Sequence, residues 1–210
     1  MTRRSKSSGR WLDEHFSDKF VIRAQREGWR SRAVFKLEEL DQKSRLFEPG
    51  QVIVDLGAAP GGWSQYAVRA LHGKGHVIAI DLLPMDPLEN VTVLQADVSS
   101  DECLAALHEV LGDRPVDLVM SDMAPNISGM RSVDQPRAMY LAELAMEFTR
   151  GALIPRGTFV CKLFQGEGFD EFVRLSRTEF ESVTVRKPKA SRPRSREVYM
   201  LARGFGGNKT

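Results

Sequence analysis

With 210 residues, 42% of them hydrophobic, the chain holds enough apolar material for one α/β domain with a full core. Its two distant cysteines, Cys103 and Cys161, exclude a disulfide scaffold, and no run of about 18 uncharged apolar residues exists to cross a membrane. The net charge of +2 conceals an acidic body, residues 51–185, in which ten Lys/Arg face nineteen Asp/Glu.

Residues 1–10 read as a flexible basic arm that lacks the apolar stretch of a secretory signal, and Cys103 and Cys161, expected as reduced core thiols, predict a cytoplasmic protein. A helix is predicted within 11–26 and another over 31–45, where Ala33, Val34, Leu37 and Leu40 recur at helical spacing. Pro49-Gly50 then breaks the pattern, and an α/β alternation begins. Strands are predicted at 51–55, 76–81, 91–95, 116–121 and 157–164, with helices at 62–72, 101–111 and 135–150. In the last of these helices, Ala138, Leu141, Ala142, Ala145 and Met146 share one face, and Gly151 fits a C-cap. After a helix near 168–179 come two extended runs, 182–186 and 197–202, with no helix between them, so they should pair antiparallel. The expected organisation is the arm over 1–10 and a single domain over 11–210. Within that domain a helical segment, 11–48, leads into a core at 49–203. No internal repeat or dedicated interface is visible, and a monomer is expected.

The stretch Asp55-Leu56-Gly57-Ala58-Ala59-Pro60-Gly61-Gly62-Trp63-Ser64-Gln65 leaves a strand through a glycine-rich turn and enters a helix. That arrangement builds a nucleoside- or anion-accepting crevice at the carboxyl edge of a parallel sheet. The glycine spacing misses the G-x-G-x-x-G of a dinucleotide fingerprint, and no Lys-Ser/Thr pair follows to complete a phosphate loop. Three more acids end predicted strands. Asp81 lies 20 residues beyond Gly61, where an acid receives a ribose diol; Asp97 suits an adenine amino group; Asp122 closes the fourth strand. With Asp55 these carboxylates repel a pyrophosphate and tolerate a cation such as a sulfonium. His15, His72, His76 and His108 are scattered without ligand spacing, so no metal site is expected.

Residues 1–36 hold ten Lys/Arg against four acids, and residues 186–196 hold six with no acid. Trp11, Phe16, Phe20, Trp29 and Phe35 interleave with the first set, which favours a folded, polyanion-binding surface over solvated tails.

The 55–65 turn, Asp81-Leu82-Leu83-Pro84-Met85, Ser121-Asp122-Met123-Ala124-Pro125-Asn126, Lys162-Leu163-Phe164-Gln165-Gly166 and Ser195-Arg196-Glu197-Val198-Tyr199 together carry a family resemblance. They are similar to motifs of the FtsJ family, S-adenosylmethionine-dependent 2′-O-ribose RNA methyltransferases. The resemblance runs from Trp11 to Ala202 and is nearest to the bacterial heat-shock members that methylate a uridine ribose in 23S rRNA. It implies a Rossmann-like class I methyltransferase fold, with a mostly parallel seven-stranded sheet, an antiparallel C-terminal hairpin and helices on both faces. It implies S-adenosylmethionine as cofactor, with contacts at Gly61, Trp63, Asp81, Asp97 and Asp122. The implied partner is 23S rRNA or the large ribosomal subunit, met by the 11–48 segment. By residue type, Gly61 permits close backbone approach and Trp63 offers an aromatic wall. Family members that modify tRNA make tRNA the alternative substrate. A fold-retaining, non-catalytic RNA-binding assembly factor is the alternative class.

The family pattern also implies a Lys–Asp–Lys–Glu set, which falls here on Lys36, Asp122, Lys162 and Glu197. Lys162 interrupts the apolar strand Thr158–Phe164, where an unpaired charge is costly, and is the proposed proton acceptor for a ribose hydroxyl. A neutral base and a charged, orienting group both remain open for it. Glu197 and Tyr199 fall on one strand face, so Tyr199 either stacks on the target nucleotide or packs beside the site.

Overall fold

The computed structural model describes residues 18–207, so the expected 1–10 arm and the start of the helix expected within 11–26 lie outside the described residues. The described chain opens with α1 (Lys19–Glu27) and α2 (Val34–Ser44). Asp18 starts α1 by accepting from Phe20 N at 2.9 Å, and Gly28 closes it in the left-handed region at φ 70°.

The core follows as β1 (Val52–Leu56), α3 (Gly62–Ala70), β2 (His76–Asp81), β3 (Val91–Gln95), α4 (Asp101–Leu111) and β4 (Val116–Ser121). It continues through α5 (Arg131–Ala152), β5 (Leu153–Phe164), α6 (Phe169–Glu179), β6 (Phe180–Arg186) and β7 (Glu197–Phe205). All strands join one seven-stranded sheet in the order β3-β2-β1-β4-β5-β7-β6. The pairs among β1 to β5 are parallel, whereas β7 runs antiparallel to both β5 and β6. The expected hairpin is present, and β7 is inserted between β5 and β6.

Strand alternation divides the apolar side chains between two faces. Val54, Leu56, Phe159 and Cys161 pack under Leu107 of α4, Met146 of α5 and Phe172 of α6. Ile53, Met120, Val160 and Leu201 pack under Leu37 and Leu40 of α2 and Trp63 and Ala67 of α3. Covered on both sides, β1 is buried at every residue, which is why Val52 to Val54 read as a continuous apolar run rather than an alternating one.

Of the boundaries that differ from the sequence reading, three around the longest helix have a plain structural cause. Helix α5 starts at Arg131 rather than 135, just after a turn that Asp134 ties down by accepting from Ser128 N, Ser128 Oγ and Gly129 N at 2.9, 2.7 and 2.9 Å. Gly151 is not its C-cap. The helix continues through Ala152, and extended Leu153 caps it with an N–H to Thr149 O, because the buried Leu153 side chain already begins β5. For the same reason β5 starts at Leu153 rather than 157, with a register shift against β4 between Val116 and Leu118.

The link between the parallel strands β2 and β3, residues 82–90, contains no helix. The loop between β6 and β7 turns back onto the N-terminal helices. Ala190 is buried among Ala24, Val34 and Phe35; Arg32 Nη2 donates to Ala190 O at 2.6 Å; and Lys189 N donates to Glu39 Oε2 at 2.6 Å. Two basic segments separated by some 150 residues therefore share one surface, as the 158-residue span of the Arg32–Ala190 bond shows.

Candidate active site

Parallel strands end at one edge of a sheet, and the order reverses between β1 and β4, where ligands enter such folds. Gly61 sits in the turn after β1 at φ 102°, a conformation that disfavours any side chain. A Cβ there would meet Met85 Sδ at 2.9 Å and Arg30 Nη1 at 3.0 Å, so the backbone is free of its own side chain where neighbours crowd in. Gly57, at φ 71°, presses against Met123, the residue after Asp122, and so locks the β1 turn to the β4 turn.

Asp81 ends β2 with its carboxylate fixed by main chain: Oδ2 accepts from Ala59 N at 2.9 Å and Oδ1 from Leu83 N at 2.8 Å. Each oxygen keeps acceptor capacity for a diol. Asp97 is exposed, and Ser99 N and Oγ donate to its Oδ1 at 2.9 and 2.7 Å, which holds its pKa below the usual carboxylate range. Its Oδ2 remains an acceptor for an amino group. Asp55 is buried at 1% exposure, and Ser64 Oγ donates to it at 2.6 Å. Burial pushes its pKa up to about 7 against the Ser64 hydrogen bonds, and the nearby charges of Asp122 and Asp81 add to the rise.

Trp63 departs from its expected role. Its ring is 3% exposed, donates from Nε1 to Ala33 O at 2.9 Å and lies 5.7 Å from the Tyr199 ring. The indole belongs to the core and does not wall the crevice. What Trp63 offers a ligand is its main-chain N–H, one of the first in α3 and without an intrahelical acceptor.

The Lys–Asp–Lys–Glu residues come from four places. Lys36 lies in the first turn of α2, Asp122 follows β4, Lys162 is near the end of β5, and Glu197 begins β7. Because β7 is antiparallel, its first residue reaches the edge where β4 and β5 finish. Lys162 Nζ donates to Asp122 O at 2.6 Å and pairs with Asp122 Oδ1 at 2.9 Å, and Lys36 Nζ pairs with Glu197 Oε1 at 3.0 Å. All four side chains are at least four-fifths buried. Burial alone would raise Asp122; the charges of Lys162 and Lys36 and a hydrogen bond from Tyr199 outweigh it and hold the carboxyl below its usual range.

Tyr199 is the functional neighbour that sequence leaves undecided. It faces Lys162 across β5 and β7, is fully buried, and donates from its hydroxyl to Asp122 Oδ1 at 2.6 Å. Burial and then the charges of Asp122 and Glu197 push its phenol well above the usual value, so it stays a donor. Its ring cannot stack on a nucleotide. The strand face shared with Glu197 signals its position; its partner requires the register. Arg30 counts in the sequence only as a charge. Its guanidinium donates to Pro60 O at 3.1 Å and to Asp86 O and Pro87 O at 2.7 Å each, holding the 82–90 loop above Gly61.

Strand order, the Gly61 crevice and the acids at successive strand ends define a Rossmann-type methyltransferase. The chain belongs to the FtsJ-like methyltransferase family, whose model matches residues 29–205. A protein of Plasmodium falciparum assigned provisionally as a ribosomal RNA methyltransferase is similar at 28% identity and a TM-score of 0.78, over 85% of this chain and 100% of that one. Human methyltransferase-like protein 13, solved with S-adenosylhomocysteine, shares the fold at 18% identity and a TM-score of 0.56, over 84% of this chain and 82% of that one. The cofactor of the family is S-adenosylmethionine, and the crevice residues fit it: fixed Asp81, Asp97 Oδ2, the side-chain-free Gly61 and a carboxylate-rich surround for a sulfonium charge. Among the described residues no helix is long and apolar enough to cross a membrane, and no group of His, Cys, Asp and Glu could hold a metal.

Proposed function

We propose that this chain methylates the 2′-O of a uridine ribose in 23S rRNA, on the assembled large ribosomal subunit, as a cytoplasmic monomer that supports ribosome maturation. The observation that carries this reading is the convergence of Lys36, Asp122, Lys162 and Glu197, as two buried ion pairs, at the sheet edge that also holds Gly61 and Asp81. Burying four charges adds little stability, so a chemical role accounts for them better than a structural one. Contacts at Gly61, Trp63, Asp81, Asp97 and Asp122 hold the cofactor, Trp63 through its main chain. The 11–48 segment and the 187–196 loop grip RNA.

S-adenosylmethionine supplies an electrophilic methyl group. The ribose hydroxyl must lose its proton as its oxygen takes that methyl, and Lys162 Nζ accepts the proton in its amine form. Tyr199 OH, at 2.6 Å, and the charge of Lys36 keep Asp122 partnered when Lys162 is neutral. The 2.9 Å Lys162–Asp122 pair favours a second reading, in which Lys162 remains an ammonium that orients the hydroxyl and steadies charge on its oxygen. Lys162→Arg separates the two readings, since guanidinium never gives up its proton. Loss of transfer at every pH is expected, and unchanged activity would rule out a neutral lysine.

The assay of first choice offers labelled cofactor to 23S rRNA, tRNA and intact large subunits in parallel. Incorporation is expected in the large subunit and in a uridine ribose. Labelled tRNA alone would move the substrate to tRNA. Tight RNA binding with no incorporation anywhere would make the chain a non-catalytic assembly factor.

A further inference from the structure

Outside the catalytic edge, α1 and the 187–196 loop enclose a second, strongly basic cavity. Among the described residues, Lys19, Arg32, Lys189, Arg192 and Arg194 line it against a single acid, Asp18. The cavity is built rather than incidental. Asp18 Oδ2 lies 3.0 Å from Arg32 Nε and 4.0 Å from Arg192 Nε, and Arg32 Nη2 is tied to Ala190 O at 2.6 Å. Ser191, which also lines it, is 4% exposed, and among the described residues neither its hydroxyl nor the buried Nε of Arg192 has a hydrogen-bond partner. Unsatisfied buried donors are costly, and the cheapest remedy is an incoming acceptor. An acceptor that suits several cations, an arginine fork and a hydroxyl at once is a phosphate.

We propose that this cavity binds a backbone phosphate of the RNA strand close to the methylated nucleotide. The inference rests on the RNA reading above and adds a discrete subsite to it. The two chain segments that line the cavity run directly into the catalytic edge: Arg32 precedes Lys36 by four residues, and Arg192 precedes Glu197 by five. Those two end points are joined by the 3.0 Å Lys36–Glu197 pair. A strand whose ribose lies at the catalytic edge would have Arg32 and Arg192, a few residues back along both segments, beside its neighbouring phosphates. An acidic peptide has no comparable reason to lie there.

The test is a methylphosphonate scan, in which each phosphate flanking the target uridine of a 23S rRNA fragment is made neutral in turn and binding is measured at fixed salt. One position should weaken binding to the parent protein about tenfold, as removal of a charge-assisted hydrogen bond does. The same substitution should cost little in Arg192→Gln, or in Arg194→Gln as a second variant. S-adenosylhomocysteine affinity, read on both variants, shows that they are folded. Equal losses in parent and variants at every position would overturn the proposal. So would displacement of RNA by an acidic peptide with no phosphate position silenced, which would hand the cavity to a protein partner. The readout is binding, so absent methyl transfer to any RNA would defeat the functional reading while leaving a positive scan intact.

Discussion

Tyr199 OH and Lys162 Nζ approach the same oxygen of Asp122, at 2.6 and 2.9 Å, so the position of that carboxylate depends on a residue outside the four-member set. Tyr199→Phe keeps the ring against Trp63 and deletes only the donor. A hydrogen bond to a charged group contributes about 2 kcal/mol, and a loss of that order is expected in urea unfolding, together with a lower kcat at unchanged cofactor affinity. Equal stability of the two proteins would show that the hydroxyl does not hold Asp122. Asp55 gives a pH signature of its own. Its carboxyl, raised to about 7 by burial, favours the protonated form in the folded chain. The stability it contributes is fully present below about pH 4, the range of an unfolded Asp, and is lost as pH rises through about 7. Asp55→Asn should flatten this slope, leaving the variant on the order of a few kcal/mol better placed at pH 8 than the parent, relative to pH 4. Parallel pH profiles would mean that Asp55 is not the titrating group.

Among the elements, the 82–90 loop carries the crevice wall without a helix of its own and depends on a donor from elsewhere. Arg30 spans three of its neighbouring carbonyls, from Pro60, Asp86 and Pro87. Removing the fork in Arg30→Ala frees the loop that places Met85 and Leu88 over Gly61. Calorimetric titration with S-adenosylhomocysteine should show about tenfold weaker binding, and Arg30→Lys should recover little, because one ammonium cannot reproduce the fork. Unaltered affinity in Arg30→Ala would detach this arginine from the cofactor. Elements whose side chains repeat with a clear period are legible in the chain itself: β2, β3, β4 and α4 have the bounds read from sequence. Boundaries fail where burial in the core decides them, as at Gly151, where a left-handed cap is expected and the buried Leu153 of β5 carries the helix past it.

At the scale of the molecule, the two basic segments behave as one surface because Ala190 is buried against Ala24, Val34 and Phe35. Replacing Arg192, Arg194 and Arg196 together by glutamine should weaken RNA binding and lower its salt slope by about one for each phosphate that is no longer neutralised. Arg150 and Arg174, paired with Glu179 and Glu171 on the far helices, supply the control, and their replacement should leave the slope as it was. A slope insensitive to the loop would remove it from the footprint.

The sequence by itself determined the fold class and the glycine-rich crevice of a methyltransferase, and its resemblance to a family nominated the four residues proposed as the catalytic set. Those depend on local grammar: apolar periods, a turn that only glycine fits, and residue types at fixed spacing in short motifs. Tertiary structure alone decided who meets whom. It paired Lys36 with Glu197 and Lys162 with Asp122, turned Trp63 into the core, gave Tyr199 its carboxylate and Arg30 its loop. The physical reason lies in β7. Inserted antiparallel between β5 and β6, it brings a residue from near the end of the chain to the edge where the parallel strands finish, and its register sets Tyr199 opposite Lys162. Pairing of that kind is fixed by the packing of the whole sheet, and no local stretch of sequence contains it.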